Sequence, residues 1–139
     1  RVTSDVTINN TTTLTNVTGA AFAVAASEVL WFVFLIHGIA SVAAQALDFT
    51  LTGPTIGAGS IRFGVGGTPS AAFRQDAATY GTRVVFLAST VLDQNIILSG
   101  VLVNGATAGT VQLQFSQHAA DATNATIYTN TLAIAGRIS

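Results

Sequence analysis

An uncharged segment between Glu28 and Asp48 constrains the fold of this chain more than any other feature of its sequence. No charged side chain occurs from Val29 to Leu47, and the first eight residues, Val29–Ile36, are all aromatic or branched aliphatic. A run of this kind fits either a membrane-spanning helix or β-strands that are buried on both faces.

The residue types in this segment favour strands. β-Branched and aromatic side chains prefer a pleated sheet, and the run is interrupted at His37-Gly38, which favours a bend. A membrane span usually has basic residues on one side, but acidic residues flank this segment and the nearest arginine is Arg62. We therefore predict two neighbouring core strands between Glu28 and Gly53, joined at His37-Gly38, and no membrane partner.

Composition restricts the classes of partner. The length of 139 residues fits one domain, residues 1–139, with residues 1–18 as a candidate N-terminal arm or exchanged strand. The net charge of −1 supplies no basic field for nucleic acid. Half of the chain is hydrophobic and only 8% is charged, whereas about a quarter is usual. A monomer with so few charges leaves apolar surface uncovered, so we expect a homo-oligomer.

Short alternating segments bounded by turn residues continue along the chain. Ser60–Val65 places Arg62 opposite three apolar side chains, and we predict a hairpin of Ile96–Val103 with Thr110–Gln117 across a glycine-containing turn. Thr82–Leu92 and Ala125–Ile138 each read as one strand. Eight or nine short strands without a helix predict an all-β fold, an antiparallel, jelly-roll-like β-sandwich.

The residues that carry most chemistry do not form a motif. His37 and His118 are far apart, cysteine is absent, and the carboxylates are spread singly. Zinc needs three or four ligands, and the glycine clusters near Gly57 and Gly64 do not open a helix as a phosphate-binding loop would. We therefore expect no enzyme activity, no catalytic residue, no metal site and no cofactor.

Several residues are candidates for binding surfaces. Alternation places glutamines of the strand 110–117 on a polar stripe, and arginines without nearby acids can anchor a carboxylate of a neighbouring subunit. The candidate interface residues are Trp31, Phe32, Phe34, Arg62, Arg83, Gln112, Gln114 and Gln117. A long polar loop after Gly66 carries the candidate contact residues Phe73, Arg74 and Tyr80.

Three segments resemble one known pattern. They are Asn9–Glu28 followed directly by the aromatic strand VLWFVF, the sequence FTLTGP at Phe49–Pro54, and Gly100–Thr126. Together they are similar to a small β-sandwich domain of tail-fibre-like and capsid-decorating proteins of tailed bacteriophages. The sequence departs from that family in a less polar stretch after Phe34, which indicates an additional hydrophobic contact, and in a less basic C-terminus.

The resemblance implies a non-enzymatic virion protein that is generally trimeric. Its partners would be other copies of the chain and the major capsid protein or another virion protein, and its location would be the particle surface. A trimeric decoration protein that stabilises the capsid is the first expectation. The alternatives are a tail-fibre head that binds a host receptor or glycan, and a subunit of an extracellular filament assembled by strand exchange.

Overall fold

A computed structural model describes residues 1–40, 46–56, 59–67, 75–87 and 94–138. These residues form eleven β-strands and no helix. The strands are β1 (Val6–Asn9), β2 (Thr15–Val24), β3 (Val29–Ala40), β4 (Ala46–Thr52), β5 (Ser60–Gly67), β6 (Gln75–Ala77), β7 (Val84–Leu87), β8 (Gln94–Val103), β9 (Gly109–Gln117), β10 (Asn124–Ile127) and β11 (Leu132–Arg137).

The strands form two antiparallel sheets that pack face to face. The first sheet has the order β1-β10-β3-β8-β5-β6, and β11 pairs with β3 on the same side as β10. The second sheet has the order β2-β9-β4-β7. The predicted all-β, antiparallel sandwich is therefore confirmed.

The connections roll the chain into a jelly roll. The segment β1–β2 lies along β9–β10, and the segment β3–β4 lies along β7–β8, so that each segment contributes one strand to each sheet. Strands β5 and β6 are inserted between β4 and β7 and widen the first sheet beyond β8. The predicted last strand is divided into β10 and β11 by a turn in which Asn130 has a φ of 69°, so the strands outnumber the eight or nine expected.

The central segment differs from its prediction in two respects. Strand β3 runs without a bend through His37-Gly38, and β4 belongs to the other sheet, so the two strands are not neighbours. Only one face of β3 is buried: Phe34 is fully inaccessible, whereas Trp31 is 43% exposed. The prediction of burial on both faces was therefore wrong for this strand, because no residue in the described part of the chain covers its second face.

The predicted hairpin of residues 96–103 with 110–117 is also wrong. Strand β8 pairs with β3 and β5, whereas β9 pairs with β2 and β4 in the opposite sheet. The connection crosses from one sheet to the other, and the buried side chain of Asn104 holds it there. The Asn104 amide donates to the carbonyl oxygens of Ala25 (2.7 Å) and Thr107 (2.8 Å).

Aromatic side chains fill the core between the sheets. The largest buried side chains include five phenylalanines: Phe32, Phe34, Phe49, Phe63 and Phe115. The partly buried ring of Phe22 lies 5.6 Å from Phe32 and 5.8 Å from Phe34, distances typical of favourable ring contacts.

The N-terminal residues belong to this sandwich. Strand β1 pairs with β10 and β2 with β9 of the same chain. Val2 is fully buried, and its backbone N–H donates to the carbonyl oxygen of Thr131 at 2.9 Å. Residues 1–18 therefore complete both sheets of their own chain in this structure.

Candidate functional site

The outer side of the first sheet is covered with hydrophobic side chains. Alternation along β3, β8 and β11 points every second residue away from the core, and those residues are almost all aliphatic or aromatic. We call this surface the apolar face, and it consists of Val29, Trp31, Val33, Leu35, Ile97, Val101, Val103, Leu132, Ile134 and Ile138.

The strand register makes the apolar face continuous. Trp31 lies opposite Val101 on β8, and Leu35 lies between Ile97 on β8 and Leu132 on β11. Directly opposite residues on antiparallel strands have their β-carbons about 5 Å apart. Side chains of three strands therefore contact one another across the face.

The apolar face contains every large hydrophobic side chain that is exposed among the described residues. Their exposed fractions range from 37% for Val103 to 57% for Ile138. The exposed apolar surface amounts to roughly 600 Å², the upper end of the range for the largest patch on a typical monomer. Patches of this size usually mark an interaction site.

A groove of about 650 Å³ opens on this face between Trp31 and Arg62. Its floor includes the small residues Gly64 and Ser99. The side chain of Arg62 is exposed at the β5 border of the face, next to Val101. The Arg62 side chain makes no hydrogen bond or ion pair with any described residue, so its charge is available to a partner.

Polar residues bound the apolar face at both ends of the strands. At one end, His37 lies opposite Asn95. At the other end, Arg137 Nε lies 3.4 Å from Glu28 Oε1, and the second Glu28 oxygen accepts a hydrogen bond from the Ala25 N–H at 2.7 Å. An apolar centre with a polar rim is the usual composition of a protein interface.

The structure divides the aromatic interface candidates between two environments. Trp31 lies on the apolar face, but Phe32 and Phe34 are 1% and 0% exposed and pack in the core. Phe32 and Phe34 therefore cannot reach a partner, which corrects their assignment. Their alternation with Trp31 along β3 accounts for the difference.

The three glutamines of the predicted stripe bind their own chain. Gln112 donates to the carbonyl oxygens of Val17 (2.9 Å) and Ala20 (3.0 Å) beside the irregularity in β2. Gln114 donates to the Asn16 side chain at 2.8 Å. Both are partly exposed.

Gln117 is fully buried, so its assignment to an outer polar stripe is wrong. Its oxygen accepts hydrogen bonds from the N–H groups of Thr11 (3.0 Å) and Asp121 (3.1 Å), and its nitrogen donates to the carbonyl oxygens of Asp121 (3.0 Å) and Thr123 (2.8 Å). The hydroxyl and the N–H of Thr123 donate to the Asp121 carboxylate and lower its pKa.

Arg83 is engaged within its own chain rather than free for a neighbour. Its guanidinium lies 3.0 Å from Asp48 Oδ2 and donates to the Ser116 hydroxyl at 3.2 Å and to the Thr12 carbonyl oxygen at 3.1 Å. The other oxygen of the buried Asp48 lies 2.8 Å from His118 Nδ1. This cluster joins β4 and β9 to the loop between β1 and β2.

Of the three candidate residues in the predicted contact loop, the structure describes only Tyr80, since Phe73 and Arg74 lie outside the described residues. The Tyr80 ring packs partly buried against Gly53, and its hydroxyl has no hydrogen-bond partner among the described residues. Burial raises the pKa of Tyr80 to about 12. Tyr80 therefore supports the core, which corrects its assignment to a contact surface.

Searches for other kinds of site found none within the described part of the chain. No group of three or more His, Cys, Asp or Glu residues there could hold a metal ion. None of its segments forms a helix long and apolar enough to cross a bilayer. Comparisons of the chain with known protein families, with curated protein sequences and with solved structures found no match.

Sequence reasoning missed most of the apolar face. Leu35, Ile97, Val101 and Ile134 were not among the candidate residues, although all four are at least 40% exposed. The hydrophobic content of the chain and its low fraction of charged residues, 8%, predicted an apolar surface shared between copies. They did not show which strands carry that surface.

Proposed function

We propose that this chain is a non-enzymatic structural subunit that assembles with copies of itself through the apolar face. Within that class, we propose a trimeric decoration protein on the capsid of a tailed bacteriophage. The apolar face is the observation that carries self-assembly. The virion assignment is supported by the resemblance of three segments to phage structural proteins and by the frequent use of jelly rolls in viral capsids.

The size of the apolar face fits a stable interface. An interface of standard size covers about 800 Å² on each partner, and somewhat more than half of that area is non-polar. The roughly 600 Å² of exposed apolar surface supplies this non-polar part.

A second copy of the chain is the occupant that the described surface favours. Among the described residues, all of the exposed large hydrophobic side chains lie on this one face, so the complementary apolar surface that they offer is the same face on another copy. The central strand positions carry no charge, so two such faces can meet without burying unpaired ions.

Light scattering behind a sizing column tests self-assembly. We expect the natural chain to have about three times its monomer mass of 14.2 kDa. Val101→Asp places a charge at the centre of the face and should give a folded monomer. Thr110→Asp is the matched control, because Thr110 is an exposed β-branched residue on the outer side of the second sheet.

The same measurement separates the alternatives. A monomeric natural chain, or a Val101→Asp variant that keeps its oligomeric mass, contradicts the proposal. Open-ended polymers instead of a closed oligomer would favour a filament assembled by strand exchange.

The virion assignment needs an experiment of its own. Gold-labelled antibodies against the chain, applied to particles of the phage that encodes it, should mark the capsid. Labelling confined to the tail would favour a fibre, and unlabelled particles would contradict a virion role.

The groove favours a glycan-binding head as the second candidate. Its lining includes Trp31, Arg62 and Ser99, and an aromatic ring with a few polar groups is typical of ligand sites. This candidate requires an open groove in the assembled protein. Glycan-array binding that Trp31→Leu abolishes, without a change in oligomeric mass, would favour it.

A further inference from the structure

We infer that Arg62 of one copy binds against the Trp31 indole of the neighbouring copy. This inference rests on the proposed self-assembly through the apolar face. It names the contact that gives the assembly its register, whereas the hydrophobic side chains supply most of its stability.

The two residues lie toward opposite borders of the face. Arg62 is on β5, and the row continues through Val101 on β8 and Trp31 on β3 to Gly136 on β11. The Trp31 indole lies over Gly136: a β-carbon added there would be 2.4 Å from Cε2 and 2.5 Å from Nε1 of the ring. The indole is therefore displaced toward β11, away from Arg62 of its own chain.

Cyclic symmetry brings these borders together. When copies surround an axis that runs along the strands and turn one face toward it, the β5 border of each copy meets the β11 border of the next. This holds for a face-to-face dimer and for a closed ring of higher order. Arg62 then approaches the indole that covers Gly136 of its neighbour.

The charge of Arg62 requires such a partner. An unpaired cation buried in an apolar interface is costly, and Arg62 has no partner among the described residues of its own chain. A guanidinium is attracted to the face of an indole ring, and the β11 border offers the Trp31 indole that lies over Gly136.

The shape of the surface permits this contact. Gly64 and Ser99 have small side chains and line the groove next to Arg62. They leave the arginine side chain room to change its direction toward another copy. The groove therefore forms part of the contact between Arg62 and the neighbouring copy.

A double-mutant cycle tests the pairing. We expect Arg62→Gln and Trp31→Leu each to weaken assembly about tenfold, and the double variant to be little weaker than the more affected single variant. The readout is the concentration at which the oligomer dissociates, measured by light scattering on dilution. Arg62→Lys should recover part of the loss, because it keeps the charge without the planar guanidinium.

Cross-linking tests the geometry independently. The natural chain has no cysteine, so Arg62→Cys combined with Ile134→Cys, two positions from Gly136 on the same face of β11, introduces the only two thiols. A short bismaleimide should then join the chains into covalent oligomers on a denaturing gel, whereas either single variant should stay monomeric on that gel. Cross-linking of Arg62→Cys alone would place two Arg62 residues together and overturn the arrangement.

The outcomes separate this inference from the proposed function. If Val101→Asp dissociates the oligomer but the Arg62 and Trp31 variants assemble normally, the apolar interface stands and the pairing is wrong. Independent, additive effects of the two single variants would also overturn the pairing. If the natural chain is a monomer, both proposals fail.

Discussion

Trp31 and Gly136 form a tight cross-strand pair in which the indole occupies the space that any larger residue at position 136 would need. Gly136→Ala should therefore displace the ring. We expect weaker assembly, a loss of about 1 kcal/mol in unfolding free energy, and a red shift in fluorescence from greater exposure to water. Trp31 is the only tryptophan, so the emission reports this contact alone.

Ala135→Ser is the control for that substitution, because Ala135 is exposed one residue away on the same strand. It should leave both emission and dissociation unchanged. An unaltered spectrum in Gly136→Ala would show that the ring does not rest on β11.

Gln117→Glu should destabilise the fold although it barely changes the shape of the side chain. The buried amide donates two hydrogen bonds to carbonyl oxygens, and a carboxylate would face those oxygens without a proton to donate. The expected loss is about 2–4 kcal/mol, measured by urea unfolding. Gln114→Glu, at a partly exposed position three residues earlier on the same strand, should lose less than about 1 kcal/mol.

Asp48→Asn tests the cluster that joins the two central strands of the second sheet to the first loop. Removing the charge leaves Arg83 and His118 without their carboxylate partner. We expect a loss of about 1–3 kcal/mol by thermal or urea unfolding, because Asp48 is buried but Arg83 is partly exposed to solvent. Asp5→Asn is the control, since Asp5 is exposed and accepts one hydrogen bond from the Thr129 N–H. Equal losses in the two variants would contradict a special role for the cluster.

Tyr80→Phe should stabilise the protein. The hydroxyl is buried without a hydrogen-bond partner, so its removal should raise the unfolding free energy by about 1 kcal/mol near neutral pH. The pKa of Tyr80 is raised from 10.0 to about 12, so the folded state favours the neutral form. That contribution is fully present below pH 10 and is lost as the pH rises from about 10 to about 12.

The phenylalanine variant lacks this titration. Its advantage in urea midpoint over the natural chain should therefore grow between about pH 10 and pH 12. A constant or shrinking advantage would mean that Tyr80 is more accessible to water than its packing against Gly53 indicates.

Strand propensity and alternation were sufficient to predict the fold class. The β-branched and aromatic run at 29–36 and the alternation of Ile61, Arg62 and Phe63 each gave a strand where one is found. The pattern could not decide what covers the second face of β3. A residue that packs in the core and a residue on an outer apolar surface are equally hydrophobic, so the sequence does not distinguish Phe32 from Trp31.

The pairing of strands that are far apart in the sequence was the second feature that the sequence did not predict. The segment from Asn104 to Gly109 has the composition of a hairpin turn, yet it crosses between the sheets because the Asn104 side chain binds carbonyl oxygens of distant and nearby segments. Gln117 was misassigned for a similar reason, since its four hydrogen bonds go to residues in loops that no local sequence pattern identifies. Both errors concern buried polar side chains that hold neighbouring loops in place through hydrogen bonds.

In the proposed assembly, strand β3 contributes to two hydrophobic interiors, one enclosed by its own chain and one enclosed by neighbouring copies. Consecutive positions along the strand therefore have different roles. Leu30, Phe32 and Phe34 stabilise the folded chain. In the proposed assembly, Trp31, Val33 and Leu35 stabilise the association of copies. If each residue of this strand were replaced in turn by a polar residue, the results should alternate: one variant would fail to fold, and the next would fold but stay monomeric.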